Sequence, residues 1–497
     1  MSNSIASTYP AEFIDFLNAT PTPYHAVENI KNKLKSKGFV EILERDVWHG
    51  KLEKLGKYYV TRNNSSIAAF AVGGKWSPGN PIAVTGAHTD SPVLRIKPIS
   101  KKTNEGFLQV GVECYGGGIW HSWFDSDLSL AGRVMCANKE TGAVESKLLN
   151  LKKPLLKIPT LAIHLDRSVN ESFKFNKETH LLPIVSLQSK SEEAQNNTNN
   201  NTSESNGCCS SKENELNDQE FHCVETIIKR HHVDLLELIV KELNLESIDC
   251  IDDFELILYD NKPSTLGGLH DEFIFSGRLD NLTSCFTSTW AMAESCDTNL
   301  EKETGIRLMA CFDHEEIGSV SAQGAESTFL PNLLERLNGL KFDDTDVSSP
   351  LPRSLVMESA AKSFFLSSDV SHGVHPNYAS NHEKSHKPML GGGTVIKINA
   401  SQRYMTNAPG LTLVKKLAND AKVPIQLFVV ANDSPCGSTI GPALAAHTGI
   451  RTLDLGNPIL SMHSIRETGG ADDLQHQIRL FKKFWEEYST LEEKIIV

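Results

Sequence analysis

Five stretches of this 497-residue chain end an apolar run in histidine or acidic side chains. "VTGAHTDSP" supplies His88 and Asp90, "SGRLDNLTS" Asp280, and "CFDHEEIGS" Glu315 and Glu316. "LSSDVSHGVHPNY" supplies Asp369, His372 and His375, and "LSMHSIRE" supplies His463. Each alone has a structural reading: a histidine after a strand usually supports the fold through a hydrogen bond, Asp280 can cap a helix, and Asp369 can cap a turn. The set as a whole carries chemistry. Two zinc ions ~3.5–4 Å apart can share a water, lower its pKa and polarise a carbonyl. Zinc accepts imidazole nitrogen and carboxylate oxygen. Such a centre needs a bridging carboxylate, at least two further ligands on each ion, and one more carboxylate kept off the metal to move a proton. Two imidazoles and three carboxylates bring about −3 against +4, and a hydroxide brings the centre close to neutral. Glu315 and Glu316 are adjacent, and neighbours on an extended strand point in opposite directions. For both to face one centre, the chain must leave the strand at about Asp313 and turn, with Gly318 close behind. Asp313 and His314 are expected to give structural support.

Strands have to deliver these residues. They are predicted at Tyr58–Val60, Ile67–Val72, Ile82–Thr85, Glu255–Leu258, Gly305–Phe312, Leu355–Glu358, Thr394–Ile398, Ile425–Val430 and Thr452–Leu455. Helices are predicted at Asp280–Ala293, Leu411–Ala421, Ile440–His447 and Asp472–Tyr488, and two more between Ala11 and Lys37, divided by Pro21 and Pro23. Open α/β folds place sites outside the carboxyl ends of their strands, where the five stretches fall. From Phe107 to His180 the chain turns rich in glycine and aromatics, with short strand-like pieces such as "LAGRVMC" and "TLAIHL". The expected fold is a three-layer α/β/α domain, residues 1–95 and 250–497, interrupted by a mainly β domain at 96–249 that serves as dimerisation element or lid. Residues 188–219 are low-complexity and polar, and read as a disordered loop whose Cys208 and Cys209 are unreactive. "WHSWFDSDLS" reads as core and interface of the inserted domain, and Gly391–Gly393 as a turn before a strand rather than a phosphate loop.

Composition narrows the function. A net charge of −13 without a Lys/Arg run argues against nucleic-acid binding. No apolar run approaches the ~20 residues of a membrane span. The start "MSNSIASTYPAEFIDFLNATP" has no basic segment followed by an apolar one, so no secretory signal is expected. The 10 cysteines form no CxxC pair, which fits a reducing cytoplasm. Sequons such as Asn64-Ser65-Ser66 are then chance matches.

The chain resembles the M18 metallopeptidases, and among them the aspartyl aminopeptidases. The likeness runs in order through "FLNATPTPYHAV", "AVTGAHTDSPVLRIKP", "VECYGGGIWHSWFDSDLSLAGRV", "IPTLAIHLDR", "LGGLHDEFIFSGRLDNL", "CFDHEEIGS", "SSDVSHGVHPNY", "KINASQRYMTNA", "NDSPCGSTIGP" and "LDLGNPILSMHSIRE". The main departure is the polar stretch at 188–219. The resemblance implies a cytoplasmic dizinc enzyme that cleaves an N-terminal Asp, less readily Glu, from peptides. His88 and Asp369 would hold one zinc, Glu316 and His463 the other, and Asp280 would bridge. Manganese or cobalt can share such ligands. Glu315 would be the general base, Asp90 would fix the geometry around His88, and the Asp280–Asn281 peptide would be cis. Lys397 in "VIKINA" would pair with the acidic side chain of the substrate, where its structural alternative is a strand lysine facing solvent. Tyr404 would hold substrate, and His372 would hold substrate or stabilise the oxyanion. His164 would reach the active site of a neighbouring subunit in a tetrahedral dodecamer, its alternative being a strand histidine within its own domain. His375 reads as an ordered turn.

Two rivals are weighed. The vacuolar, leucine-preferring branch of the family carries a propeptide, for which the early first helix leaves no room, and Lys397 favours acidic substrates. Delivery of this chain to a vacuole as cargo would still be compatible with the sequence. A catalytically silent scaffold would not need Glu315 and all five ligands.

Overall fold

Strands buried on both faces read as unbroken apolar runs, because each alternate side chain enters a different core layer. In the computed structural model, which describes residues 8–138, 140–188, 223–340 and 352–495, this holds for the centre of a nine-stranded sheet. Four parallel strands lie side by side there: Ile306–Phe312, Ile82–His88, Phe364–Ser368 and Arg451–Gly456. Val40–Glu41, Lys57–Arg62 and Ser66–Val72 extend the sheet on one side, Thr394–Ile398 and Ile425–Val429 on the other. On one face, Ala83, Ala87, Met309, Cys311 and Leu366 pack with helices Tyr9–Ala19, Pro23–Ser36, Leu279–Ser295, Ala408–Ala421 and Ala471–Leu491. On the other, Ile82, Val84, Leu308, Ala310, Phe312 and Phe365 pack with helices Phe329–Asn338 and Ile440–Thr448. The architecture is therefore three-layered, α/β/α. A smaller sheet, including Phe273–Ser276, Glu467–Gly470 and Pro458–Leu460, lies in the same unit.

By compactness this unit comprises Met1–Pro92, Gly116–Ile119 and Pro263–Val497, and a second unit comprises Val93–Tyr115 and Trp120–Lys262. The second unit is built on a six-stranded antiparallel sheet in the order Val144–Asn150, Leu128–Ala137, Ile251–Asp260, Val93–Asn104, Phe107–Tyr115, Ile184–Leu187. The strand predicted at Glu255–Leu258 thus belongs to this sheet, and the α/β part resumes at Pro263 rather than at 250. Apolar alternation marks a strand but not the sheet that it joins. The stretch "TLAIHL" is not a strand; His164 sits on an exposed turn. In "WHSWFDSDLS", Trp120 and Trp123 are buried, while Asp125 accepts hydrogen bonds from Thr160 and Asp127 pairs with Lys157, so these carboxylates already have structural partners. The polar stretch read as a disordered loop lies outside the described residues except for its first residue.

One strand was misplaced. "SLVMESAAK" forms a helix, Ser354–Lys362, and the strand begins two residues later at Phe364. Alanine, methionine and glutamate favour helix, and Met357 faces solvent. The glycine turn at Gly391–Gly393 is held by Asp473, which accepts the Gly391 and Gly393 N–H groups at 2.7 and 2.8 Å. Leu366, fully buried in the strand that precedes Asp369, sets a stability test. Leu366→Ala is expected to cost about 2–5 kcal/mol, read as an earlier denaturation midpoint; an unchanged midpoint would contradict this packing.

Candidate metal centre

The four central strands run in one direction, so their carboxyl ends crowd into one region. His88 is the last residue of its strand, paired with Phe312. Asp369 follows Ser368 directly, and its N–H donates to the Leu455 carbonyl at 2.8 Å. Gly456 makes that approach possible: a Cβ there would lie 1.8 Å from the Asp369 carbonyl oxygen. After Phe312 the chain turns through His314, at φ +64°, into a 3-10 turn, Glu315–Ile317, closed by Gly318 at φ +98°. Asp313 and His314 build this turn. Asp313 accepts the His314 N–H, and the His314 ring meets the Ser321 hydroxyl. Asp280 opens the helix Leu279–Ser295, and the Asp280–Asn281 peptide is cis. His463 lies beyond Pro458–Leu460 at φ +67°.

These residues converge. Asp280 Oδ1 lies 3.2 Å from His88 Nε2, and Asp280 Oδ2 lies 3.3 Å from His463 Nε2. Asp369 Oδ1 is 3.6 Å from His88 Nε2, and Glu316 Oε2 is 3.4 Å from His463 Nε2. Two overlapping groups, His88–Asp280–Asp369 and Asp280–Glu316–His463, could each hold a metal ion, with donor atoms within 4.8 Å of one another. His88 with Glu315 and Glu316 forms a third. The chemistry fits a cation on three counts. Asp280 Oδ1, Glu316 Oε1 and Asp369 Oδ1 are buried without a hydrogen bond, a costly state for a carboxylate oxygen unless a cation answers it. Both imidazoles turn Nδ1 to a backbone carbonyl, Asp90 O for His88 and Gly117 O for His463, each at 3.1 Å. This leaves Nε2 toward the acids, the arrangement typical of metal-ligating histidine.

Electrostatics give the third count. Burial, with Asp369, Asp90 and Asp280 nearby, pushes Glu315 up to about 7 against the pull of His88. Burial and Asp280 raise Glu316 well above the carboxylate range and Glu467 to about 8. Burial opposes the charge on His463, yet Asp280 lifts it to about 9; His88 rises as well, through Glu315, Asp280, Asp369 and Asp90. Against its own burial, Asp280 is held far below the usual range by the two imidazoles. The acids recruit protons wherever a proton can stand in for a metal.

Two buried carboxylates hold the backbone of this site. Asp90 accepts the N–H groups of Glu315 and Glu316, one on each oxygen, both at 3.1 Å. Glu467 accepts those of Asp280 and His463, at 3.2 and 2.9 Å. Sequence reasoning singled out Asp90 but missed Glu467. Its one signal was an acid beside the glycine pair of "RETGG".

Lys397 does not face solvent. It is 3% exposed, pairs with Asp369 Oδ2 at 3.2 Å, and stands 5.3 Å from the centre of the Tyr404 ring. Asp369 thus offers one oxygen to His88 and the other to Lys397. Tyr404 also lines a cavity of about 280 Å³, together with His372, His375, Phe428, Cys436 and Ser461 among others. Desolvation and then Lys397 push His372 down to about 4, so its ring is neutral at pH 7. His375 caps the following turn by accepting the Asn377 N–H.

A family described as aminopeptidase I zinc metalloprotease (M18) matches residues 16–485. The chain belongs to the M18 family. M18 membership makes it a hydrolase, a metalloaminopeptidase of a zinc-dependent family. "Aspartyl aminopeptidase 4" of Saccharomyces cerevisiae is 63% identical over 496 residues, covering 100% of this chain and 98% of that protein. A chain in "Cryo-EM structure of the Ape4 and Nbr1 complex" superposes with a TM-score of 0.88 at 50% identity, over 99% of this chain and 87% of that one. A chain in the "mApe1 dodecamer" of the same yeast gives 0.80 at 27% identity, over 98% of each. Among the described residues, no helix of this M18 protein is long and apolar enough to cross a membrane.

A metal-ligating imidazole must be neutral, while without a cation Asp280 lifts His463 to about 9 and the surrounding acids raise His88. Zinc binding at pH 7.5 is therefore expected to release protons, and affinity to fall as pH falls. Calorimetric titration of metal-stripped protein in two buffers of different ionisation enthalpy measures this; equal heats in both would contradict it.

Proposed function

We propose that this protein is a two-zinc aminopeptidase that removes N-terminal Asp, and less readily Glu, from peptides. The observation that carries the reading is Asp280, whose two carboxylate oxygens each face a different imidazole. On this reading His88 and Asp369 would hold one ion and Glu316 and His463 the other, with Asp280 shared between them. When bound, zinc supplies Lewis acidity to the scissile carbonyl and lowers the pKa of the attacking water; manganese or cobalt can replace it at an exchangeable position. Glu315 stays off the metal. Its carboxylate takes the proton from the attacking water and delivers it to the leaving amine nitrogen, a role suited by its upward shift to about 7. His372, neutral, can donate a hydrogen bond to the substrate carbonyl oxygen. Acidic groups around the centre face the free α-amine of the substrate.

Lys397 is the specificity residue in this reading. An ammonium carries three donors, of which Asp369 meets one, so an acidic substrate side chain can add a charge-assisted hydrogen bond there that an apolar or cationic one cannot. Tyr404 walls the same place. The second unit serves dimerisation or covers the site, and His164 reaches a neighbouring subunit in a tetrahedral dodecamer built from dimers. The dodecameric state of the mApe1 relative supports that assembly. The proposed location is the cytoplasm, with delivery to a vacuole as the alternative.

Hydrolysis of Asp-, Glu-, Leu- and Ala-linked chromogenic amides tests the reading, with and without thorough chelation. The expected order is Asp, then Glu, with Leu and Ala far behind and all activity lost with the metal. A Leu rate equal to Asp would sink the specificity, and metal-independent turnover the mechanism. Lys397→Leu is expected to cut the Asp-over-Leu preference by about 10- to 100-fold; an unchanged ratio would remove Lys397 from that role. Glu315→Gln should keep its zinc and lose about 10²–10⁴ in kcat; retention of most of kcat would refute the base assignment.

A further inference from the structure

We propose that Glu467 is a positioning residue that sets the gap between Asp280 and His463, and with it the geometry of the metal position these two share. The inference rests on the reading of both as ligands. Glu467 is 2% exposed and stands four residues after His463 and 187 after Asp280 in the chain. Its Oε1 accepts the His463 N–H and its Oε2 the Asp280 N–H. One rigid carboxylate thus spans two segments that otherwise approach the centre from separate elements. Glu467 is itself fixed, because it begins a strand paired with Phe273–Ser276, where it lies opposite Ser276. That strand leads directly to Asp280.

The residue type is what the task demands. Two amide donors converge, and an ionised carboxylate, with two acceptors and no donor, satisfies both. Glutamine offers one acceptor, so either orientation of its amide sets an NH2 group against a backbone N–H. Asp90 does for Glu315 and Glu316 what Glu467 does for Asp280 and His463. Four residues assigned to the centre are therefore held through their amides, which leaves their side chains to the metal and the proton. His463 has most need of this. It sits at φ +67° in a turn, and its side chain is about a third exposed.

The test compares wild type, Glu467→Gln, Glu467→Ala and His463→Ala in the full chain. Zinc content and competition against a chelator, kcat and KM on the Asp-linked amide, and the melting temperature of stripped and loaded protein are measured. Glu467→Gln is expected to fold, to lose about 10- to 100-fold in affinity for one of its two zinc ions, and to lose kcat with KM within about twofold. Its gain in melting temperature on zinc loading should shrink. Wild-type affinity and kcat in Glu467→Gln would overturn the inference. An equal drop in melting temperature with and without zinc, at unchanged affinity, would also overturn it, because the role would be structural only. If Glu467→Ala fails to fold, the near-isosteric glutamine variant still decides. His463→Ala separates the two levels: full zinc content in that variant defeats the ligand reading, whereas loss of one ion beside a wild-type Glu467→Gln defeats the positioning role alone.

Discussion

Six carboxylates, from Asp90, Asp280, Glu315, Glu316, Asp369 and Glu467, lie in one largely buried region with the imidazoles of His88 and His463 and the Lys397 ammonium. Like charges at such separations repel strongly once water is removed. The imidazoles and Glu316 are shifted toward their protonated forms, which relieves part of this. Divalent cations relieve it better, because they answer the buried oxygens that no hydrogen bond reaches. This unmet negative charge is the constraint from which the other features follow.

The fold meets it by making the acids hard to move. Parallel strands packed between two apolar layers deliver His88, Asp369 and the Glu315–Glu316 turn to one edge. The Asp90 and Glu467 carboxylates then lock the amides of the turn, of Asp280 and of His463. Two adjacent glutamates can face one centre, as the proposed roles of ligand and base require, only because the chain leaves its strand at His314 and winds into a 3-10 turn, which breaks the alternation of an extended backbone. Lys397 joins chemistry to selection. The same Asp369 that approaches His88 also holds the ammonium proposed to read the substrate.

Much of this was legible in the sequence, for physical reasons. Strands buried on both faces announce themselves as apolar runs, and charged residues at their ends stand out because burial makes them costly. His88, Glu315, Glu316 and Asp369 were visible in that way, and the need for a turn followed from strand geometry. Glu467 was not, because it acts on backbone amides of residues distant in sequence, and no spacing rule encodes that. Lys397 left two readings open, because a lysine between isoleucines can face solvent from its strand or turn inward to meet an acidic substrate side chain. The helix Ser354–Lys362 was read as a strand because "LVM" is apolar under either reading. The strand Ile251–Asp260 was recognised as a strand but given to the wrong sheet, since pairing partners are chosen by tertiary contacts.

Asp280 is proposed to bridge two cations, one held by His88 with Asp369 and the other by Glu316 with His463. Anomalous diffraction at the zinc absorption edge, from crystals of zinc-loaded protein, measures it directly. Two peaks per chain are expected, about 3.5–4 Å apart, each facing one oxygen of Asp280 and one imidazole Nε2. A single peak, or two peaks that do not share Asp280, would contradict it.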